Sequence, residues 1–246
     1  MTRSRLRFMS NEYIEDVTAG RIRLYEAKTK TTVKFPVLVE EIIEQVLDLS
    51  ILWDQIEEQP GELILGGLQR QTRTIVMNEK HLALFNEKPG LLRSTQGHEA
   101  GHADLEGGLG DQGPSLFEPE QDRIVHRHST KTNQQLEILL DLALHNEKAY
   151  RLMRKLTSGQ DTPEQKSAVD RYQSAILMPK WLLEEVTPHY NLTRWPDLYD
   201  LANKAQVNIS NLITRLRRLE MIFIPKGSKI IYRSVDEYSG QKSLFD

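Results

Sequence analysis

The chain is 246 residues long, with 32 Lys and Arg against 35 Asp and Glu, a net charge of -3 at pH 7, a hydrophobic share of 39% and no cysteine. That length suits one large domain, or a domain with a small appendage, with enough chain for a full core. The lack of cysteine excludes disulfide scaffolds, cysteine nucleophiles, Cys-ligated zinc and iron–sulfur clusters, so any metal must be held by His, Asp or Glu and the 7 histidines become the residues to follow.

Residues 1–34 read as a polar N-terminal arm. No apolar run reaches roughly 18 residues, and the start, with Arg3, Arg5 and Arg7, lacks the apolar stretch of a secretory signal, which predicts a cytoplasmic protein with no membrane partner. Phe35-Pro36 introduces a helix over 37–49, where Val39, Ile42, Ile43, Val46 and Leu47 recur at helical spacing. Three β-like runs follow at 50–54, 62–68 (with a break at Gly66-Gly67) and 72–77, predicting a small, mostly antiparallel sheet. The helical pattern returns over 91–105, and Gly107, Gly108, Gly110, Gly113 and Pro114 then enforce a long loop to about residue 130. Two more helices are predicted over 133–156 and 164–178, the second stopped by Pro179. From Trp181 the chain reads as a separate small unit. It holds helices over 196–205 and 210–219 around the turn Gln206-Val207-Asn208-Ile209, then a hairpin of 221–224 with 229–233. The expected architecture is α+β, with an arm (1–34), a main domain (35–180) and a C-terminal module (181–246).

Residues 98–102 read His98-Glu99-Ala100-Gly101-His102, the HExxH pattern. On a helix, residues four apart are rotated by only about 40°, so two imidazoles converge on one metal ion from one face. Glu99, about 100° away, reaches a water beside the metal without being a ligand, which is the place of a general base in peptide hydrolysis. The bland alternative is two exposed histidines on a solvated helix. Gly97 and Gly101 weigh against it, because each costs a helix about 1 kcal/mol relative to Ala and so calls for close approach of another helix or strand. The other histidines carry little: His126 and His128 alternate in a β-like stretch of a surface loop, and His81, His145 and His189 lack ligand partners at useful spacing. Tyr172 reads as core.

The stretch Arg93-Ser94-Thr95-Gln96-Gly97-His98-Glu99-Ala100-Gly101-His102 resembles the Arg-x-Thr-x-Ala-His-Glu-x-Gly-His helix of the ImmA/IrrE family of metallopeptidases. Three other segments agree in order and spacing: Phe35-Pro36 with its helix, the strand at 72–78, and Ser174-Ala175-Ile176-Leu177-Met178-Pro179, which is similar to the family's Ala-x-Leu-Leu-Met-Pro ending of the second active-site helix. The likeness spans about 35–179. It implies a gluzincin-like zinc protease domain with His98 and His102 on Zn2+ and Glu99 as general base. It also implies a protein substrate such as a transcriptional repressor, and hence a place in transcription regulation.

The family's third ligand is a Glu thirteen residues before the proline of that ending, and here the position is Lys166. A cation cannot ligate zinc and opposes its binding. Asp170, one turn on along the same face, ranks first as the substitute metal ligand, although it matches the family's supporting Asn/Asp position. Glu137, in Glu137-Ile138-Leu139-Leu140-Asp141, and Glu164, about 160° around the helix, are the alternatives. A two-histidine site or no metal completes the range, and Glu106 lies too far along the helix.

Residues 201–222 resemble the helix-turn-helix that follows the protease domain in many relatives. Residues 203–233 hold Lys204, Arg215, Arg217, Arg218, Lys226, Lys229 and Arg233 against the single acid Glu220, a charge of +6 that leaves -9 for the rest of the chain. If the unit contacts DNA, Ser210, Asn211 and Thr214 would face base edges, while Arg215, Arg217, Arg218, Lys226 and Lys229 would meet phosphate. The alternative is a winged-helix-like module used for packing or partner binding. Two functions stand at this point: a zinc-dependent endopeptidase, and a catalytically degenerate DNA- or protein-binding regulator that retains the protease fold. Lys166 favours the second and Glu99 the first, since a scaffold has no use for a general base.

Overall fold

The computed structural model describes residues 9–59, 62–106, 128–129 and 163–242. The helix expected over 133–156, most of the loop after residue 106, Glu137, His126 and His145 lie outside them, as do the side chains of Glu164 and Lys166.

The segment expected as a polar arm is instead a helix, α1 (Asn11–Thr29). Ser10 caps it by accepting the Tyr13 backbone N–H at 3.1 Å, and Lys30 ends it in the left-handed conformation. Its buried stripe is Ile14, Thr18, Ile22 and Tyr25, with the Thr18 hydroxyl donating back to the Ile14 carbonyl at 2.9 Å. A threonine in the stripe and charged residues around it hide the period. Tertiary packing of Ile14, Ile22 and Tyr25 in the main core, together with the contacts of its polar residues, holds the helix more than intrinsic helicity does.

Helix α2 (Val39–Gln45) buries Val39, Ile42 and Ile43 as the spacing required, and ends early because the chain turns at Asp48, whose φ is 52°. The strands are β1 (Ser50–Asp54), β2 (Glu62–Leu63), β3 (Gly66–Gln69), β4 (Thr74–Asn78) and β5 (His128–Ser129). The main sheet has the order β1-β4-β3, with β1 parallel and β3 antiparallel to β4, so it is mixed rather than mostly antiparallel. The tight turn between Gln69 and Thr74 forces the β3–β4 pair to be antiparallel, whereas β1 reaches β4 only after a crossing connection, which allows a parallel pair. The expected run 62–68 splits in two at Gly66: β2 leaves the sheet to pair antiparallel with β5.

Helices α3 (Leu82–Glu87), α4 (Pro89–Glu106) and α5 (Pro163–Leu177) follow, then α6 (Lys180–Val186), α7 (Trp195–Ala205), α8 (Ile209–Arg218) and α9 (Val235–Lys242). Leu198, Leu201, Leu212 and Leu216 of the C-terminal unit belong to the same apolar cluster as Ile14 of α1, Tyr172 and Ile176 of α5 and Ile42 of α2. The expected hairpin is a single antiparallel bridge, Phe223 to Tyr232, closed by two backbone bonds of 2.8 Å. Among the described residues no helix is long and apolar enough to cross a membrane.

Candidate metal centre

The centre is built on α4, which packs along α5. Pro89 opens α4, where its missing N–H and fixed φ suit a first turn. Arg93 donates from Nη2 to the Val37 carbonyl, tying α4 to the lead-in of α2, and burial lowers its pKa. The two glycines have the packing reason that their placement in a helix called for. A Cβ on Gly101 would stand 3.1 Å from both Tyr172 Cδ1 and Val169 Cγ1, and one on Gly97 would stand 3.3 Å from Gln173 Cγ. Without side chains at these two positions, α4 and α5 approach closely enough for His98 to meet Asp170.

His98 Nε2 lies 3.2 Å from His102 Nε2, with ring centroids 4.8 Å apart and planes at 71°. Two nitrogens bound to one tetrahedral zinc at about 2.0–2.1 Å stand roughly 3.3 Å apart, so the pair fits a shared metal. His102 is fully buried, Glu99 is 2% exposed, and the His98 side chain keeps 17% exposure. The solvated-face alternative therefore fails on burial. Asp170 Oδ1 lies 3.4 Å from Nδ1 of His98, the ring nitrogen opposite the one that meets His102. A carboxylate on that edge favours a proton on Nδ1 and leaves the Nε2 lone pair for the centre. Asp170 is thus brought to the site at the histidine's back rather than beside the two Nε2 atoms, because it sits on the neighbouring helix at the level of His98. Among the described residues no three His, Asp or Glu side chains form a complete metal-holding group.

A buried network fixes the far end of α4. Asp104 accepts from Arg21 Nε at 2.9 Å and Nη2 at 2.6 Å, and from the Tyr172 hydroxyl at 2.8 Å. The hydrogen bond to Asp104 raises the Arg21 pKa. Burial, followed by the Asp104 charge, pushes the Tyr172 phenol well above its ordinary value. Sequence reasoning missed Arg21 and Asp104, and read Tyr172 only as core. The spacing of Asp104 from His102 marks it as belonging to another helical face, but nothing local names its partner 83 positions away.

The basic end departs from its DNA-facing expectation at two residues. Asn211 Nδ2 donates to Ser94 Oγ of α4 at 2.8 Å. Arg215 is 1% exposed, donates from Nε to the Met178 carbonyl at 2.9 Å, and pairs through both Nη atoms with Glu15 of α1. Both side chains are engaged inside the fold, because α8 packs against α7 on one side and against α1, α4 and α5 on another. Thr214, Arg217, Lys226 and Lys229 are the exposed members of the expected set.

His81 has a partner after all: its Nε2 lies 2.6 Å from Glu58 Oε1, in a buried pair that Lys80 joins at 2.5 Å. His189 is in a short 3-10 turn, Thr187–His189. No protein-family model matches the chain, and no curated protein matches it at a significant level.

Proposed function

We propose that the chain is a zinc-dependent endopeptidase acting on a protein substrate, with His98 and His102 holding the metal and Glu99 as general base. The observation that carries this reading is the 3.2 Å approach of the two Nε2 atoms on a helix that also carries the buried Glu99. When bound, zinc supplies Lewis-acid polarisation of the substrate carbonyl. Glu99 takes a proton from the attacking water and returns it to the leaving nitrogen. Asp170 orients the His98 ring through Nδ1. This assigns Asp170 the supporting role and leaves the third ligand to a group beyond the described residues or to solvent. A repressor or similar regulator as substrate is supported by the family resemblance of 93–102 and 174–179.

A second reading is a regulator that keeps the fold without turnover, favoured by Lys166 at the family's third-ligand position. It would contact DNA or protein through Thr214, Arg217, Lys226 and Lys229, which face solvent. The two readings separate in one comparison. Zinc-loaded wild type and Glu99→Gln are incubated with a peptide pool derived from whole-cell protein, and the products are read by mass spectrometry. The peptidase reading expects cleavage by wild type and a loss of about 10²-fold or more in Glu99→Gln with zinc still bound. No cleavage by a zinc-loaded wild type, or equal cleavage by both, contradicts it.

A further inference from the structure

Helix α1 carries two apolar faces. The inner one, with Ile14, Ile22 and Tyr25, is buried in the main core. The outer one runs Tyr13, Val17, Gly20, Leu24 and Ala27, at steps of four, three, four and three residues, and lies about 135° around the helix from the first. Tyr13 is 52% exposed, Leu24 is 48% exposed and Ala27 faces solvent, while Val17 and Gly20 are half-buried. Apolar residues scattered singly over a surface are ordinary, but a row that repeats about every 3.5 residues is the seam of one helix packed along another.

Gly20 marks the middle of that row. Glycine inside a helix carries a penalty that close approach of a neighbour offsets, as at Gly97 and Gly101, where the neighbour is α5. At Gly20 an added Cβ would meet only the end of the Arg23 side chain, at 4.0 Å, so among the described residues the space for a close approach is unused. Two charges border the row on one flank. Asp16 and Arg23 are exposed, opposite in sign and seven residues apart, and neither side chain bonds to another described residue. Glu12 lies further round the helix, and Glu26, near Arg23, accepts the Val33 N–H at 2.8 Å. On the other flank Arg21 is held by Asp104, and Lys28 donates to the Gln45 carbonyl at 2.6 Å. Glu15, bound to Arg215, adds a further anchor, so α1 presents its outer row from a fixed position on the body.

We infer that the outer face of α1 is a dimer interface, on which the same helix of a second copy packs antiparallel about a two-fold axis. In that register Val17 of each copy lies over Gly20 of the other, next to the axis, and Tyr13 lies over Leu24 outside it. Asp16 then faces Arg23 of the second copy, and by symmetry Arg23 faces its Asp16, so the surface is complementary to itself in charge. A parallel pair would instead set Arg23 against Lys28 of the second copy, two like-charge contacts. A single helix face buries less than the roughly 1,200–2,000 Å² of a standard interface, so the dimer is reversible, with Kd on the order of micromolar. The inference is independent of the peptidase reading.

Sedimentation velocity on the full chain, over about 1 to 300 μM, tests it. Wild type should pass from monomer to dimer across that range. Asp16→Arg and Arg23→Asp should each weaken self-association about tenfold or more, because each turns two attractive contacts into two repulsive ones, and Leu24→Glu should abolish it. An equimolar mixture of Asp16→Arg and Arg23→Asp should dimerise again, since every antiparallel contact then joins unlike charges, and that recovery also shows both variants to be folded. A wild type that stays monomeric throughout overturns the inference and leaves the row to a helix of another protein. A dimer indifferent to the three substitutions, or a mixture that stays monomeric, overturns it as well.

Discussion

Asp104→Ala tests the packing that holds the candidate metal helix. The Asp104 side chain has no exposed surface and accepts three hydrogen bonds, two from Arg21 and one from Tyr172. Truncation leaves the Tyr172 hydroxyl buried without an acceptor, a loss of about 1–3 kcal/mol. It also leaves the Arg21 guanidinium facing an apolar gap. Breaking a buried charge pair from one side costs about 3–5 kcal/mol, but the Arg21 side chain is 26% exposed and recovers part of its hydration. The net expectation is a loss of about 3 kcal/mol, against about 1 kcal/mol for Tyr172→Phe, which removes a single bond. Urea unfolding at neutral pH, followed by circular dichroism, reads both. In a chain of this size the larger value lowers Tm by about 6–12 °C. A loss below about 1 kcal/mol in Asp104→Ala, or one no larger than in Tyr172→Phe, would refute the reasoning, because the Arg21 bonds would then not be holding α1 to α4.

Gly101→Ala gains about 1 kcal/mol of helix propensity but drives a methyl against the buried Tyr172 ring and Val169, an overpacking of about 1–3 kcal/mol, so a net loss near 1 kcal/mol is expected by thermal unfolding. Gly97→Ala meets the flexible Gln173 side chain instead and should be neutral or slightly stabilising; equal effects at the two positions would contradict the packing argument. For Glu58, burial acts to raise the pKa, but hydrogen bonds from His81, the Ile64 N–H and Lys80 outweigh it, so the folded value lies below the ordinary 4.5. A depressed carboxylate contributes stability that is present above the unfolded pKa and lost as pH falls through the folded one. Glu58→Gln should therefore lower stability at neutral pH and flatten the decline below about pH 4.5, and an unchanged acid limb would count against the pair. Arg215→Ala removes a buried cation and should destabilise by about 3 kcal/mol or more, whereas Arg217→Ala, on the exposed side of α8, should stay within about 0.5 kcal/mol; the reverse order would restore a solvent-facing role to Arg215.

The parts of the fold legible in the sequence are those in which local period and burial agree. Val39, Ile42 and Ile43 announced α2, and strand 50–54 was placed to the residue. His98, Glu99 and His102 lie within one helical turn, and the convergence of the two imidazoles follows from helix geometry alone. Gly97 and Gly101 even reported a neighbour before that neighbour was known. What stayed hidden depends on partners far along the chain. The stripe of α1 contains Thr18 and only three apolar residues, and its Arg21 and Glu15 acquire meaning only through Asp104 and Arg215. Sheet sense was misjudged because the β1–β4 pairing spans a crossing connection that no local pattern encodes. Asp170 is expected as a metal ligand from its place one turn after Lys166, whereas the structure sets its carboxylate 3.4 Å from His98 Nδ1, because the nitrogen it meets depends on the level at which α5 crosses α4. Arg215 looked like a surface cation because its type argues for solvent, although it lies between Leu212 and Leu216 on a buried arc.

The central claim is that His98 and His102 form one metal site that Glu99 serves. The most direct measurement is zinc content by elemental mass spectrometry of wild type, His98→Ala, His102→Ala and Glu99→Gln, each purified without chelator and then reloaded with Zn2+. The account predicts about one zinc per chain in wild type and Glu99→Gln, and a large loss in both histidine variants. Wild type that cannot be loaded, or histidine variants that hold zinc as well as wild type, would contradict it.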